Sequence, residues 1–293
     1  MTFNEKYNQI KQLVQKEVEI IQKNIVSKIN VREPLQKSLI DFLSGPSKHI
    51  RPVFVLLCLK ANNEEITTEQ IELLTVIELV HNASLIHDDV IDESKIRRGH
   101  KTISDEFDNK LAIISGDYIL SIAMEELAKL NNIEIIKNFS YTIQKMCTGE
   151  INQNFDRFKI GTIERYIEKT KNKTAYLFET ALVCCAMLSK NNYDLEKLKR
   201  LAINTGIAFQ IRDDLLNLTN SDKTKPNNND ITEGIYNAPI IYSQDVSDYT
   251  QGIEKTKNLL NNYVKSAKQE IQTLPENNFK NALEEFLELL NNV

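Results

Sequence analysis

An apolar helical segment that ends in clustered carboxylates restricts the fold of this chain more than any other feature. Upstream of Leu85-Ile-His-Asp-Asp-Val-Ile-Asp-Glu93, apolar residues recur at helical spacing from Ile71 onward, with no Pro or Gly. On such a helix Asp88 and Asp92 lie one turn apart on the same face, and Asp89 flanks them. Because clustered anions repel one another and resist desolvation, they need a cation. Oxygen ligands without nearby Cys or spaced His favour Mg²⁺.

A second segment of the same kind lies far along the chain, in Gly206-Ile-Ala-Phe-Gln-Ile-Arg-Asp-Asp-Leu-Leu-Asn217. A solvated helix end explains one isolated Asp pair equally well, but it explains a repeat at Asp213 and Asp214 less well. Two such helices facing each other across a cavity would hold divalent ions that bind one diphosphate and stabilise it as a leaving group. The pattern predicts metal-assisted ionisation of an allylic diphosphate ester.

Basic residues lie close to the first acidic segment and predict a site for a second phosphate group. Arg suits bidentate phosphate contacts, and Lys supplies a point charge. Each of these cations, taken alone, has the ordinary alternative of a solvated surface residue. Lys173-Thr174, taken alone, is typical of an ordinary helix start, since Thr is a good cap. The candidates near the first segment are Lys48, Arg51, His81, Arg97 and Arg98.

Composition favours one large all-α domain over residues 1–293. Eight Gly and six Pro are too few for a protein of many short strands, so long helices are expected. The net charge of -5 gives no support for a nucleic-acid binder. The polar segment from Thr219 to Asp230 is expected to form a loop, either a lid over the substrate or a plain connector. An interruption or kink is expected from Thr170 to Lys173. Helices are predicted at about 4–29, 35–43, 50–61, 67–92, 111–130, 132–158, 163–190, 194–219, 250–272 and 277–291.

The remaining signals concern the compartment in which the protein works. The four cysteines show no metal-like spacing, and Cys184 and Cys185 lie in an apolar helical run, as expected of core residues in a reducing compartment. His87 and His100 have no partners at metal-ligand spacing, so they are interpreted as structural or surface residues. The polar start of the chain lacks the apolar stretch of a signal peptide, and no apolar run is long enough to span a membrane. A soluble cytoplasmic protein is expected.

Taken in order, these motifs resemble those of the trans-polyprenyl diphosphate synthases, in the isoprenyl diphosphate synthase family. The segment from Glu78 to Asp92 is similar to the family's first Asp-rich motif, and the resemblance covers about 45–242. It implies an all-α bundle of the isoprenoid synthase type around a deep central cavity, with helices at about 250–291 following, and a homodimer. The further matching motifs are Arg97-Arg-Gly99, Gly116-Asp117, Gly149-Glu-Ile-Asn-Gln153, Lys173-Thr174 and Phe209-Gln210.

The resemblance also implies a role for each candidate residue. About three Mg²⁺ ions would be bound together with the allylic diphosphate. The released diphosphate is the usual candidate for the base, so no side-chain base is needed. The metal ligands would be Asp88, Asp89, Asp92, Asp213 and Asp214. The residues contacting the allylic diphosphate would be Arg97, Lys173, Thr174, Gln210 and Lys225. The residues binding isopentenyl diphosphate would be Lys48, Arg51, His81 and Arg98.

The chain departs from the family pattern at three positions. His49 replaces an Arg of the family's basic signature, Asn217 replaces the last carboxylate of the second Asp-rich motif, and Ile235 stands where many relatives carry Lys. The last two leave open a non-catalytic subunit of a heteromeric prenyltransferase. A terpene cyclase is a further alternative, although it would not need a second diphosphate site. A metal phosphohydrolase built on His87-Asp88 lacks supporting His ligands.

Small residues before the first Asp cluster predict a long product. Ala83 and Ser84 occupy positions where short-chain relatives tend to carry aromatic rings. Five positions on a helix correspond to about 7 to 8 Å of depth, and an open path there predicts roughly six to eight isoprene units (about C30 to C40), as in a quinone side chain. Close helix packing is the alternative explanation, and a shorter farnesyl or geranylgeranyl product stays open. Deeper blockers would come from Ile119, Ile122, Ala123 or Met124.

Overall fold

The computed structural model describes residues 2–219 and 229–293, and helices account for most of them. The all-α fold predicted from the sequence is confirmed. The elements in chain order are α1 (Phe3–Gln12), α2 (Gln15–Ser27), α3 (Leu35–Ser44), α4 (Ile50–Ala61), α5 (Thr68–Ile91), β1 (Ile96–Arg97), β2 (His100–Lys101), α6 (Ile103–Glu106), α7 (Asn109–Lys129), α8 (Ile133–Phe155), α9 (Ile163–Thr170), a π-helical turn (Lys171–Ala175), α10 (Tyr176–Met187), α11 (Leu195–Thr219), α12 (Asn229–Thr232), α13 (Ala238–Ser243), α14 (Thr250–Ile271) and α15 (Asn278–Leu289).

Helix α5 shows how local sequence sets the long helices. Thr67 caps its start by accepting a hydrogen bond from the Gln70 amide, and the Gln70 side chain accepts one from the Thr67 amide. The residues that follow are mostly buried on several faces, so this helix runs through the interior. It packs along α7, while α11 packs against α10 and α14. One continuous apolar cluster draws on nearly every long helix.

Several features differ from the sequence expectation. The first predicted helix is broken at Leu13 and Val14 into α1 and α2. A two-stranded hairpin pairs β1 with β2, and its turn residues Arg98 and Gly99 both have positive φ, as tight two-residue hairpin turns require. The hairpin, α6, α12 and α13 were not predicted, because each has too few residues to show a hydrophobic periodicity. The interruption expected near Thr170 is the π-helical turn. Residues 220–228 of the predicted loop lie outside the described residues.

No helix within the described ranges is long and apolar enough to cross a membrane.

Candidate active site

The first acidic cluster lies at the end of α5. The Asp89 side chain is only 2% exposed, and its Oδ1 accepts a hydrogen bond of 2.6 Å from Nε of Arg97. The hairpin that follows the end of α5 at Asp92 positions Arg97 beside Asp89. The other carboxylate oxygen of Asp89, Oδ2, is buried without a hydrogen-bond partner among the described residues. A buried carboxylate oxygen in that state favours a cation beside it.

Three pKa shifts report the charge state of this cluster. The pKa of Asp88 is raised to about 6, first by burial and then by the negative charges of Glu150 and Asp92, against the opposing charge of Lys173. Burial also raises the pKa values of Asp89 and Asp92. Burial therefore opposes the charged form of all three carboxylates, and a cation bound beside them would offset that cost.

Carboxylate oxygens are the donors that suit Mg²⁺, and the unpartnered Oδ2 of Asp89 is one of them. Within the described residues no three His, Cys, Asp or Glu side chains converge closely enough to hold a metal ion by themselves. An ion held here would complete its coordination with water and substrate oxygens, which is how Mg²⁺ is usually bound.

Lys173 lies beside the same cluster and forms an ion pair with Glu150. Burial lowers the pKa of Lys173, but Glu150, Asp88 and Asp92 outweigh it and the net pKa is raised. The π-helical turn presents the lysine, and Gly149 on α8 permits the close approach, since a Cβ there would lie 2.9 Å from Cγ of Lys173. The lysine is therefore charged and directed towards the carboxylates of α5.

A chain of hydrogen bonds joins the next residue, Thr174, to the second acidic cluster. The Thr174 hydroxyl donates to Oε1 of Gln210 at 2.7 Å, and Nε2 of Gln210 donates to Oδ1 of Asp214 at 2.9 Å. The Tyr166 hydroxyl donates to Oδ2 of Asp214 at 2.7 Å. Adjacent Lys173 and Thr174 thus interact with the two acidic clusters, one each. The π-helical turn lies between the clusters.

Gly206 allows α11 to reach this position. A Cβ at Gly206 would lie 2.6 Å from Cα of Ala175, so the helix packs directly on the π-helical turn. Asp214 is buried, and the neighbouring Asp213 is half-buried. Asn217 is half-buried one turn further on. Lys225 lies outside the described residues.

The residues predicted for a second diphosphate surround a buried carboxylate, Glu78. The side chain of Glu78 is 2% exposed and lies 2.9 Å from Nδ1 of His49. Burial raises the pKa of Glu78, but the bond from His49 and the charges of His49, His81 and Arg51 outweigh it and bring the pKa to about 2. Burial, with the charge of Arg51, lowers the pKa of His81 to about 3. Glu78 is therefore ionised and His81 neutral at neutral pH.

The cations of this group are held by aromatic rings and amides. The Arg51 guanidinium lies 5.0 Å from the centre of the Phe178 ring, and that of Arg98 lies 5.8 Å from the Phe42 ring. Arg98 also donates to Oδ1 of Asn82 at 3.4 Å. The structure thus brings Arg51, His81 and Arg98 around Glu78. Lys48 is exposed on the neighbouring loop.

The residues predicted to set product length lie on α5, before the acidic cluster. Ala83 is 3% exposed, and Ser84 is half-buried with its hydroxyl donating to the His81 carbonyl at 2.8 Å. On α7, Ile119 and Ala123 are fully buried, while Ile122 and Met124 are half-buried. His87 lies against Gly116, where a Cβ would meet its ring. This agrees with the structural role expected of His87.

Four residues of this region carry contacts that sequence reasoning did not assign. Glu78 and Glu150 hold cations of the two candidate sites, Tyr166 binds Asp214, and Arg157 lies 3.8 Å from Oδ1 of Asp92. Glu78 had a usable signal, because it is a carboxylate within an apolar helix, one turn before His81. Tyr166 and Arg157 had none.

Comparison with known proteins decides the family. The family model described as polyprenyl synthetase matches residues 32–277, which is most of the chain. The chain belongs to the polyprenyl synthetase family. It is a prenyltransferase, as the sequence motifs predicted.

Relatives match along nearly the whole of this synthetase-family chain. A prenyl transferase of Cyanidium caldarium is 34% identical over 96% of this chain and 97% of its own length. The chloroplastic solanesyl diphosphate synthase 1 of Arabidopsis thaliana is 31% identical over 94% of this chain and 76% of its own length. The crystal structure of heptaprenyl diphosphate synthase from Staphylococcus aureus is 25% identical, with a TM-score of 0.88, and covers 95% of this chain and 98% of that one.

Proposed function

We propose that this prenyltransferase condenses isopentenyl diphosphate with an allylic diphosphate, head to tail and with Mg²⁺, to make a long trans-polyprenyl diphosphate. The observation that carries the proposal is the position of Lys173 and Thr174. Lys173 faces the Asp88 cluster, and Thr174 is bonded through Gln210 to Asp214. These contacts support a single site between the two acidic clusters, with the cations around Glu78 nearby.

The metal ligands we propose are Asp88, Asp89, Asp92, Asp213 and Asp214. Bound Mg²⁺ would stabilise negative charge on the departing diphosphate electrostatically. The residues proposed to bind the allylic diphosphate are Arg97, Lys173, Thr174, Gln210 and Lys225. Those proposed for isopentenyl diphosphate are Lys48, Arg51, His81 and Arg98.

In this scheme the chain's own residues hold both substrates and balance their charge. Lys173 donates to the diphosphate as the allylic C1–O bond breaks, and it can do so because its raised pKa keeps it protonated. The double bond of the isopentenyl group then forms the new bond to the allylic C1. The resulting carbocation loses a proton from isopentenyl C2 to the released diphosphate. No side-chain base is assigned.

We further propose a product of roughly six to eight isoprene units, because Ala83, about 7 to 8 Å before Asp88 along α5, is too small to block a growing tail there. The name of the heptaprenyl relative supports this range, and that of the solanesyl relative supports a long product. We propose a single-domain homodimer, which would cover apolar side chains that a monomer exposes. Those on α7 and α8 include Ile113, Ile114, Ile133, Ile151 and Phe155. The cytoplasmic location stays a prediction.

The deciding experiment is incubation of the purified chain with Mg²⁺, isopentenyl diphosphate and allylic starters of different length, followed by product sizing. Extended products that vanish on adding EDTA are expected. No product longer than the starter would refute the proposal and favour a non-catalytic subunit. Hydrocarbon formed without isopentenyl diphosphate would instead identify a cyclase.

A further inference from the structure

The first helix of the chain, α1, contacts the loop that carries the proposed isopentenyl diphosphate residues. The Tyr7 hydroxyl donates to the Lys48 carbonyl at 2.8 Å, and Tyr7 is almost completely buried. One turn further on, Nζ of Lys11 donates to the Ser47 carbonyl at 3.4 Å. Two long-range hydrogen bonds therefore attach α1 to residues 47 and 48.

Phe3, at the start of α1, lies between two cations from different parts of the chain. Nζ of Lys48 is 5.0 Å from the centre of its ring, and Cζ of Arg212 is 3.8 Å from it. Arg212 is buried and directly precedes Asp213. The Phe3 ring stacks on Tyr7, with centres 5.9 Å apart and planes 3° from parallel. The start of α1 therefore connects the Lys48 loop to the second acidic helix.

Lys11 is placed as a further cation of the diphosphate pocket. It is half-buried, and burial lowers its pKa while the negative charge of Glu78 raises it, so Lys11 lies within electrostatic range of Glu78. Its partner at Ser47 is a neutral carbonyl oxygen, which a phosphate oxygen can replace with a stronger, charge-assisted bond. A diphosphate bound here would therefore form a stronger hydrogen bond with Lys11 than the bond to the Ser47 carbonyl that it replaces.

We propose that α1 is the outer wall of the isopentenyl diphosphate site: Lys11 is a further ligand of that diphosphate, and Phe3 is a positioning residue that fixes Lys48 relative to Arg212. This inference rests on the proposed function, since it deepens the assignment of that pocket. Helix α1 precedes every motif that the chain shares with the family.

The test of Lys11 uses a matched pair of substitutions on one helix. Lys11→Met is expected to raise the KM for isopentenyl diphosphate about tenfold, the size of one lost charge-assisted contact, with kcat and the allylic KM within about twofold. Lys6→Met removes the same charge from an exposed position of α1 and is expected to leave all three constants unchanged. Lys11→Arg is expected to restore most of the affinity.

The test of Phe3 separates its ring electrostatics from its volume. Phe3→Leu keeps an apolar side chain but removes the ring, and it is expected to raise the KM for isopentenyl diphosphate about threefold to tenfold. Phe3→Tyr keeps the ring face and is expected to behave like the wild type. Circular dichroism and melting temperature check that each variant folds. A Leu variant as active as the Tyr variant would overturn the positioning role.

Direct binding separates this inference from the proposed function. Calorimetry with isopentenyl diphosphate is carried out on the wild type, Lys11→Met and Lys6→Met. A wild type that binds but makes no product refutes the proposed function alone. Equal affinities in all three proteins refute the ligand role of Lys11 alone. A wild type that does not bind isopentenyl diphosphate refutes both.

Discussion

The ionised Asp88 side chain is predicted to destabilise the folded protein when no metal is bound. Its pKa of about 6, against 3.8 for an ordinary aspartate, corresponds to at most about 3 kcal/mol at neutral pH. Because the folded pKa is raised, the stability that the protonated group contributes is present below pH 3.8 and lost as pH rises through about 6. Asp88→Asn removes the charge and should recover much of this energy.

The sign of the effect fixes its pH dependence. At pH 7.5 Asp88 is ionised in both folded and unfolded chains, so the full penalty applies. At pH 5 it is mostly protonated in the folded chain and mostly ionised in the unfolded chain, which reduces the penalty to about half. The asparagine variant should therefore melt about 3 to 5 °C above the wild type at pH 7.5, and by about half that margin at pH 5.

The assay is thermal unfolding in EDTA, followed by circular dichroism at both pH values. Asp41→Asn is the matched control, because Asp41 is exposed on α3 and should show no gain. Adding Mg²⁺ and pyrophosphate should stabilise the wild type more than Asp88→Asn, which loses a proposed metal ligand. An Asp88→Asn variant that melts at or below the wild type in EDTA at pH 7.5 would refute this prediction. A gain in melting temperature that does not shrink at pH 5 would also refute it.

Four shorter predictions follow from the same geometry. Glu78→Gln should cost about 3 kcal/mol in urea unfolding at neutral pH, because it leaves the charge of buried Arg51 unbalanced; a loss below about 1 kcal/mol would contradict this. Tyr166→Phe should weaken Mg²⁺ activation about tenfold by releasing Asp214, and an unchanged activation constant would count against that role. Ala83→Phe should shorten the product, and an unchanged product distribution would argue against the predicted floor. Isopentenyl diphosphate should bind equally well in EDTA and in Mg²⁺; a metal requirement would mean that the Glu78 pocket is not its site.

The long helices could be predicted from sequence because one physical signal, apolar periodicity, extends over several turns. It placed α4, α5, α7, α8 and α11 to within a few residues. The hairpin after Asp92 could not be found this way, since its strands have two residues each. Its turn nevertheless had a partial signal in Gly99, the kind of residue that tolerates positive φ.

The residues of the candidate site likewise divide into those that the sequence could predict and those that it could not. Asp88 and Asp214 could be proposed because paired carboxylates on apolar helices need a partner, whatever the surrounding fold. Tyr166 could not, because a tyrosine 48 positions from Asp214 becomes its hydrogen-bond donor only once α9 packs against α11. Contacts of this kind depend on the tertiary arrangement and leave no local pattern in the sequence.

The two proposed diphosphate sites have opposite charge imbalances, and this difference would discriminate their ligands. Around Asp88 several carboxylates are clustered and burial raises their pKa values, so that site favours a diphosphate that arrives with metal ions. Around Glu78 one ionised carboxylate faces Arg51, Arg98 and Lys11, so that site favours a diphosphate without metal. A metal-free diphosphate at the Asp88 cluster, or a metal-bound one in the Glu78 pocket, would be left with uncompensated charge in a partly desolvated pocket. That cost is a stronger basis for selection than shape alone. Such selection would keep the leaving-group diphosphate at the acidic helix ends and the nucleophile's diphosphate beside α1. The chemistry requires that assignment, because only the allylic C–O bond has to break.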